Sequence, residues 1–173
     1  MSLPELAVQS LWFILPAYIA NASPVLLKGR RPLDFGKKWG KNRILGDGKT
    51  WEGTIGGIVI GTMVGLLQIY AHNSLPASLG LAKLDFAIVF LLAAGALAGD
   101  VAGSFVKRRF SIPRGAHLPV FDQLTFLVAA LLFSSVAYRP GSDMIIFLFI
   151  LTPIVHWATN NVAYMLKLKS NPW

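Results

Sequence analysis

Asp100 is the residue whose place in the sequence points most clearly to chemistry. It lies within residues 86–106, which otherwise carry no charged side chain. A carboxylate inside an apolar stretch is costly and by default marks function. Its counter-charge must be a metal ion, a proton or a basic side chain from a loop, because no Lys or Arg occurs in the apolar stretches. Ser104, Lys107 and Arg108 follow at i+4, i+7 and i+8, so they share its helix face.

Two asparagines repeat the position of this carboxylate. Asn21 and Asn160 each precede a lysine by seven residues, the spacing that also separates Asp100 from Lys107. Along a helix this spacing amounts to about 10 Å. Three helices therefore place a polar side chain at one depth, which predicts a polar cavity that opens toward basic loops.

Further carboxylates and a glycine-rich segment stand at the rim of this predicted cavity. Glu52 and Asp122 lie at the starts of two apolar stretches, and residues 46–53 run directly into one of them. The first amides of a helix bind anions. Carboxylates beside cations, in a chain without cysteine, favour phosphate handling through Mg²⁺, which prefers hard oxygen ligands.

The elements that must position these residues follow from composition. Of 173 residues, 54% are hydrophobic and 14% are charged, against about 25% charged residues in soluble domains. This excludes a soluble enzyme, a disordered chain and a disulfide-stabilised secreted module. We predict an all-α, polytopic integral membrane protein, one domain over residues 1–173, whose five transmembrane helices cover residues 4–26, 53–72, 86–106, 120–138 and 144–166.

Glycines at four-residue spacing line one face of two of these helices. They are Gly57, Gly61 and Gly65 in the second helix, and Gly95, Gly99 and Gly103 in the third. Such faces let helix backbones approach closely in lipid, so we expect them to be packing surfaces.

The basic residues predict the orientation in the membrane. Fourteen of the 16 lie in residues 28–49, residues 107–114 and the tail after residue 166, whereas only Lys83 and Arg139 fall on the other side. The positive-inside rule then places the N-terminus outside and the C-terminus in the cytoplasm. The polar cavity of this multi-pass cell-membrane protein is expected on the cytoplasmic side.

The residues alone leave three functions open. The first is an enzyme that handles phosphate. The second is a transporter or channel for a phosphorylated solute or a cation, although a single polar layer is less than a path across the membrane needs. The third is a structural membrane protein whose basic face binds anionic lipid.

Two motifs resemble those of a known family. Residues Lys49–Gly53 resemble the K-T-x-E-G element of the phosphatidate cytidylyltransferases. Asp100, Ser104, Lys107, Arg108, His117 and Asp122 resemble, in order, that family's C-terminal signature, although Thr125 stands where the signature ends in an acid. The chain length and the pattern of residues 16–47 are similar to the compact archaeal branch, the CDP-archaeol synthases.

The resemblance implies a reaction in which CTP and an unsaturated isoprenoid ether lipid phosphate, 2,3-bis-O-geranylgeranylglycerol 1-phosphate, give CDP-archaeol and pyrophosphate. It implies CTP, this lipid and membrane lipids as partners, without nucleic acid, and it leaves the oligomeric state open. Asp100 and Asp122 would hold Mg²⁺ and, with Lys107, form the catalytic set. The implied substrate-binding residues are Asn21, Asp47, Gly48, Lys49, Thr50, Glu52, Gly53, Ser104, Arg108, Arg109 and Asn160.

Overall fold

The computed structural model describes residues 1–112, 118 and 120–168. In this part of the chain, six helices and one short hairpin form the fold. They are α1 (Leu3–Ala22), α2 (Pro24–Leu27), β1 (Lys38–Trp39), β2 (Asn42–Arg43), α3 (Trp51–His72), α4 (Phe86–Arg109), α5 (Phe121–Ser134) and α6 (Ser142–Met165), with a 3-10 turn at Ala77–Leu79.

Four helical segments are long and apolar enough to span a membrane, where the sequence predicts five. The segment Leu3–Leu27 and the helices α3, α4 and α6 meet the requirement, but α5 has only 14 residues. Its length is about 21 Å, which is shorter than a hydrocarbon core of about 30 Å. The fourth predicted span, residues 120–138, is therefore longer than the helix found there. The hydroxyls of Ser134 and Ser135 donate to carbonyls of the last turn, at 3.2 and 2.6 Å, and such bonds compete with the helical ladder.

Five helices, α1, α3, α4, α5 and α6, still run along the bundle in alternating directions. Helix α5 begins at Phe121 and runs away from the end of the bundle where α4 finishes. Hydrogen-bonded turns follow α5 as far as Tyr138. The ring of Tyr138 lies 5.3 Å from that of Phe13 in α1. In the opposite direction, α6 returns, so that Asn160 comes close to Asn21 at the end of α1. We call this end of the bundle, where α1, α4 and α6 finish and α3 and α5 begin, the basic end.

Glycine faces bring the helices into close contact, as predicted. A Cβ added at Gly61 would lie 2.6 Å from the carbonyl oxygen of Pro16 in α1, and one at Gly95 would lie 2.7 Å from that of Ala129 in α5. No larger residue fits at these crossings, which is the reason for glycine in such faces. The large apolar side chains that are fully buried include Phe13, Ile14, Leu92, Leu97, Leu127 and Leu148.

The loop between α2 and α3 is folded, which the all-α prediction missed. Lys38 pairs with Arg43 and Trp39 pairs with Asn42 in an antiparallel hairpin. Pro32 forms a β-bridge with Thr50, directly before α3. The loop thus has a defined position on the basic end.

Candidate active site

A cavity of about 440 Å³ lies at the basic end, between α1, α4 and α6. It brings together Asn21, Asp100 and Asn160, the three residues that the sequence places at one depth. The loop contributes Gly48 and Lys49. Other lining residues are Tyr18, Phe126, Thr152, His156 and Thr159.

Lys49 is the counter-charge of Asp100. Its Nζ lies 2.6 Å from Oδ2 of Asp100, and each side chain is roughly a quarter exposed. The base comes from the loop, which is one of the three alternatives that the sequence leaves open. The pair forms a charged spot in the wall of the cavity, within reach of a ligand.

Backbone contacts fix the position of Lys49. Its carbonyl oxygen accepts a hydrogen bond from the amide of Leu33 at 2.8 Å, and the next residue, Thr50, caps α3 by accepting from the amide of Gly53 at 3.1 Å. Glu52 accepts from the amide of Arg31 at 3.1 Å. Thr50, Glu52 and Gly53, all predicted to bind substrate, thus hold the loop against the start of α3.

Asp34 organises the loop that carries Lys49, and the sequence analysis did not select it. The buried carboxylate pairs with Arg43 at 2.5 Å and accepts hydrogen bonds from the amides of Gly36, Leu45 and Gly46 at 3.1, 2.9 and 3.1 Å. Burial alone would raise the pKa of Asp34, but the bonds from Arg43 and the three amides outweigh burial and hold it well below its ordinary value. Two features of the sequence could have identified Asp34. It is an acid within a basic loop, and two of the amides that donate to it belong to glycines, Gly36 and Gly46.

Arg43 connects this centre to Asp47. Its Nη1 lies 2.6 Å from the largely exposed carboxylate of Asp47. Bonds to Asp34 first, and to Asp47 second, raise the pKa of the Arg43 guanidinium. Gly46, between them, has a φ of +89° and is buried, a conformation that favours glycine.

A second lysine–aspartate pair joins α4 to α5. Nζ of Lys107 lies 2.8 Å from Oδ1 of Asp122, and Oδ2 accepts from the amide of Leu118 at 3.1 Å. Both side chains are mostly buried, and they lie outside the lining of the cavity. Asp100 and Asp122, the predicted Mg²⁺ ligands, therefore each contact a different lysine.

The remaining basic residues at the end of α4 contact the hairpin. Arg109 donates to the carbonyl oxygens of Trp39 and Arg43 at 3.2 and 2.8 Å, and its guanidinium lies over the Trp39 ring. The carbonyl of Arg108 accepts from Asn42 at 3.1 Å. Ser104, one turn above Asp100, is buried. Arg109 thus holds the hairpin on α4.

Polar and aromatic contacts line the deeper part of the cavity. Tyr18 and Thr152 share a hydrogen bond of 2.7 Å, and Nδ1 of His156 lies 3.0 Å from Nδ2 of Asn160. The ring of Phe126 stacks on that of His156. The sequence analysis did not select Tyr18, Thr152 or His156. Helical spacing is the signal that could have identified them. Tyr18 precedes Asn21 by three residues, Thr152 precedes His156 by four, and His156 precedes Asn160 by four.

The donor set of the cavity suits Mg²⁺ only with help from a ligand. Asp100 supplies a carboxylate, and Asn21 and Asn160 carry amide oxygens in the lining of the same cavity. Within the described part of the chain, no three His, Asp or Glu residues group as a metal site. Mg²⁺ commonly binds through one or two carboxylates plus substrate phosphates and waters, so this arrangement fits a metal that arrives with phosphates. His117 lies outside the described residues.

An apolar groove runs between α4 and α5, with a volume of about 570 Å³. Near the basic end, its walls include Val106 and Phe121, which adjoin the Lys107–Asp122 pair in the sequence. The groove continues along both helices as far as Gly99 and Leu132.

Comparison with known proteins gives consistent matches. The CarS-like family model, described as CDP-archaeol synthase, matches residues 3–173. CDP-archaeol synthase of Thermococcus gammatolerans is 53% identical over 165 residues, which are 95% of each chain. That of Thermococcus onnurineus is 50% identical over 174 residues, covering 100% of each chain. A solved structure, described as an intramembrane enzyme for archaeal membrane lipids biosynthesis, has a TM-score of 0.74 and 40% identity, covering 87% of this chain and 91% of that one.

Proposed function

Because this chain belongs to the CDP-archaeol synthase family, and so is a CTP-dependent membrane nucleotidyltransferase, we propose that its cavity joins CTP to an archaeal ether lipid phosphate. The products are CDP-archaeol and pyrophosphate, and the substrate is 2,3-bis-O-geranylgeranylglycerol 1-phosphate. The observation that carries the proposal is the Lys49–Asp100 pair in a polar cavity at the basic end.

The reaction needs no general base. A phosphate oxygen of the lipid, already anionic, attacks the α-phosphorus of CTP, and the bond to the β-phosphate breaks as pyrophosphate leaves. The obstacle is the approach of two anions, so positioning and charge compensation supply the rate enhancement. Lys49 binds the triphosphate, and Gly48 lets the loop backbone approach it.

Asp100 would hold Mg²⁺ together with the amide oxygens of Asn21 and Asn160. When bound, the metal offsets charge on the triphosphate and on the pyrophosphate leaving group. Lys49 then exchanges its contact with Asp100 for one with phosphate. Asp122 as a second metal ligand stays a prediction from the resemblance.

The lipid phosphate approaches the end of α4. Lys107 and Arg108 compensate its charge there, and the α4–α5 groove, whose walls are apolar, receives one isoprenoid chain. Ser104 orients these groups from below. Arg109, Thr50, Glu52 and Gly53 act on the substrates through the loop, because their described contacts are with the loop or with the start of α3.

We place the basic end in the cytoplasm, with the N-terminus outside and the C-terminus inside. The distribution of basic residues supports this orientation, as does the alternating direction of the five helices. The alternative function is that of a transporter or channel. The two relatives described above are both named as synthases, which supports the enzyme.

The test compares two isosteric substitutions. Asp100→Asn is expected to abolish incorporation of the labelled cytidine nucleotide from CTP into lipid, because a neutral amide does not balance the charge of Mg²⁺. Asp143→Asn, the same change in the first turn of α6 at the opposite end, serves as the matched control. Purified protein in detergent receives CTP, Mg²⁺ and either an ether or an ester lipid phosphate, and pyrophosphate release is measured. Activity of Asp100→Asn near that of the control would contradict the role of Asp100, and release with neither lipid in the unmodified protein would contradict the proposed reaction.

A further inference from the structure

We propose that residues 35–41, which we call the surface segment, bind anionic lipid headgroups of the bilayer around the enzyme. The partner is the membrane surface, distinct from the substrate inside the cavity. The proposal depends on the multi-pass membrane character of the chain and does not depend on the reaction.

The surface segment combines aromatic and basic side chains on an open face. All seven of its residues are exposed, including Lys37, Lys38 and Lys41. Phe35 is 69% exposed and Trp39 is 64% exposed, although both are large and apolar. Aromatic and basic residues together are characteristic of membrane interfaces, where rings reach the headgroup level and lysines meet anionic lipid.

Phe35 fixes one side of the segment at membrane depth. Its ring centroid lies 6.0 Å from that of Trp51, the first residue of α3. One and two turns further along the same face, Ile55 and Val59 are about half exposed. An exposed aliphatic face on a helix long enough to span a membrane faces lipid. Phe35 therefore lies where the lipid-facing side of α3 meets the surface.

Trp39 fixes the other side on a different helix. Its ring lies 5.9 Å from that of Phe105 in the last turns of α4, and the Arg109 guanidinium lies about 5 Å from both rings. Phe105 belongs to the charge-free part of α4, whereas Arg109 ends the helix. The hairpin thus spans the boundary between the apolar and charged parts of α4.

The electrostatics of the segment favour anions. The neighbouring acid, Asp34, is buried and already pairs with Arg43, so it does not offset the lysines at the surface. Each basic residue near an anionic surface changes lipid association by about fivefold, which corresponds to about 1 kcal/mol. The segment also joins Asp34 to Arg43, so its attachment to headgroups holds the loop of Lys49 at the depth from which lipid phosphate arrives.

The experiment measures lipid preference at position 37, which keeps both aromatic contacts of the segment. Because the chain has no cysteine, Lys37→Cys gives a single site for an NBD fluorophore in the full-length protein. The protein is reconstituted in phosphatidylcholine vesicles that contain, as quencher, phosphatidylglycerol or phosphatidylcholine with the same nitroxide on the acyl chain. We expect stronger quenching by the anionic lipid, with a preference that falls as ionic strength rises.

Charge variants test the role of the lysines. Lys38→Gln with Lys41→Gln should reduce the preference for the anionic quencher by about 25-fold, at about fivefold for each lysine. The matched control, Lys83→Gln with Arg139→Gln, removes the same charge from exposed positions outside the basic end and should leave the preference unchanged. Equal quenching by the two lipids, an equal effect of both double variants, or no quenching at all would overturn the proposal. The readout requires no turnover, so it stands or fails separately from the proposed reaction.

Discussion

Replacing Asp34 with asparagine removes the charge around which the loop is folded. The change keeps the size of the side chain but eliminates the ion pair with Arg43 and weakens acceptance from the amides of Leu45 and Gly46. Since Arg43 retains its contact with Asp47, the arginine does not become an isolated charge. The helices do not depend on this carboxylate, so the effect should be local to residues 28–50.

The size of the effect follows from the burial of the pair. Breaking a buried ion pair costs about 3–5 kcal/mol, and the surviving bond from Arg43 to Asp47 favours the lower limit. A local loss of about 3 kcal/mol increases the population of the open loop by about 150-fold. Asp47→Asn removes the exposed partner of the same arginine, and exposed pairs are worth at most about 1 kcal/mol.

Hydrogen exchange measured by mass spectrometry distinguishes these two variants. Peptides that contain Leu45 and Gly46 should exchange about 150-fold faster in Asp34→Asn and within about fivefold of the unmodified protein in Asp47→Asn. Peptides from the middle of α4 should be unaffected in both and serve as the internal control. Equal exchange in the two variants would refute the conclusion that Asp34 is the centre of the loop.

Three further predictions concern acid stability, helix packing and topology. The pKa of Asp34 is lower in the ordered loop than in a disordered one, so ionised Asp34 stabilises the ordered loop above pH 3.8, the ordinary pKa, and this stabilisation declines as the pH falls below that value. Pepsin digestion from about pH 5 down to about pH 2 should therefore show increasing cleavage of the loop in the unmodified protein. The pH dependence should be weaker in Asp34→Asn. Gly99→Ala should destabilise the protein by about 1–3 kcal/mol and lower its melting temperature in detergent, because the added Cβ would meet the backbone of α5. Gly103→Ala should lower the melting temperature less, because its Cβ would meet a side-chain oxygen at 3.0 Å. The reverse order would contradict the packing argument. A cysteine at Lys41 should react with an impermeant maleimide only from the cytoplasmic side, and one at Lys83 only from outside; labelling in the opposite sense would invert the orientation.

The sequence predicted the lining of the cavity best where helices are continuous. Asn21, Asp100 and Asn160 come together as expected, because residue spacing converts directly to depth along a helix. The prediction failed at α5, where the helix ends before the apolar stretch does. The stretch is apolar enough to span, but local hydrogen bonds from Ser134 and Ser135 accompany the end of its helical ladder, and hydropathy does not register them.

The loop was less predictable because its contacts join distant residues. Lys49 meets Asp100 across 51 positions of the chain, and no periodicity in the sequence encodes that distance. The hairpin did carry a local signal. Gly40, with a φ of +65°, begins the two-residue turn between Trp39 and Asn42, and glycine at this place is typical of tight hairpins.

The contact between Lys49 and Asp100 has a thermodynamic consequence. Each group satisfies the other before any ligand arrives, so a metal that takes Asp100 leaves the ammonium without its anion, and a nucleotide that takes Lys49 leaves the carboxylate without its cation. Under the proposed roles, only the joint arrival of both exchanges every partner. Metal and CTP should therefore bind with positive cooperativity, and reciprocity requires that each strengthens the other by the same factor. The empty enzyme would thus select the metal-nucleotide complex over either component alone.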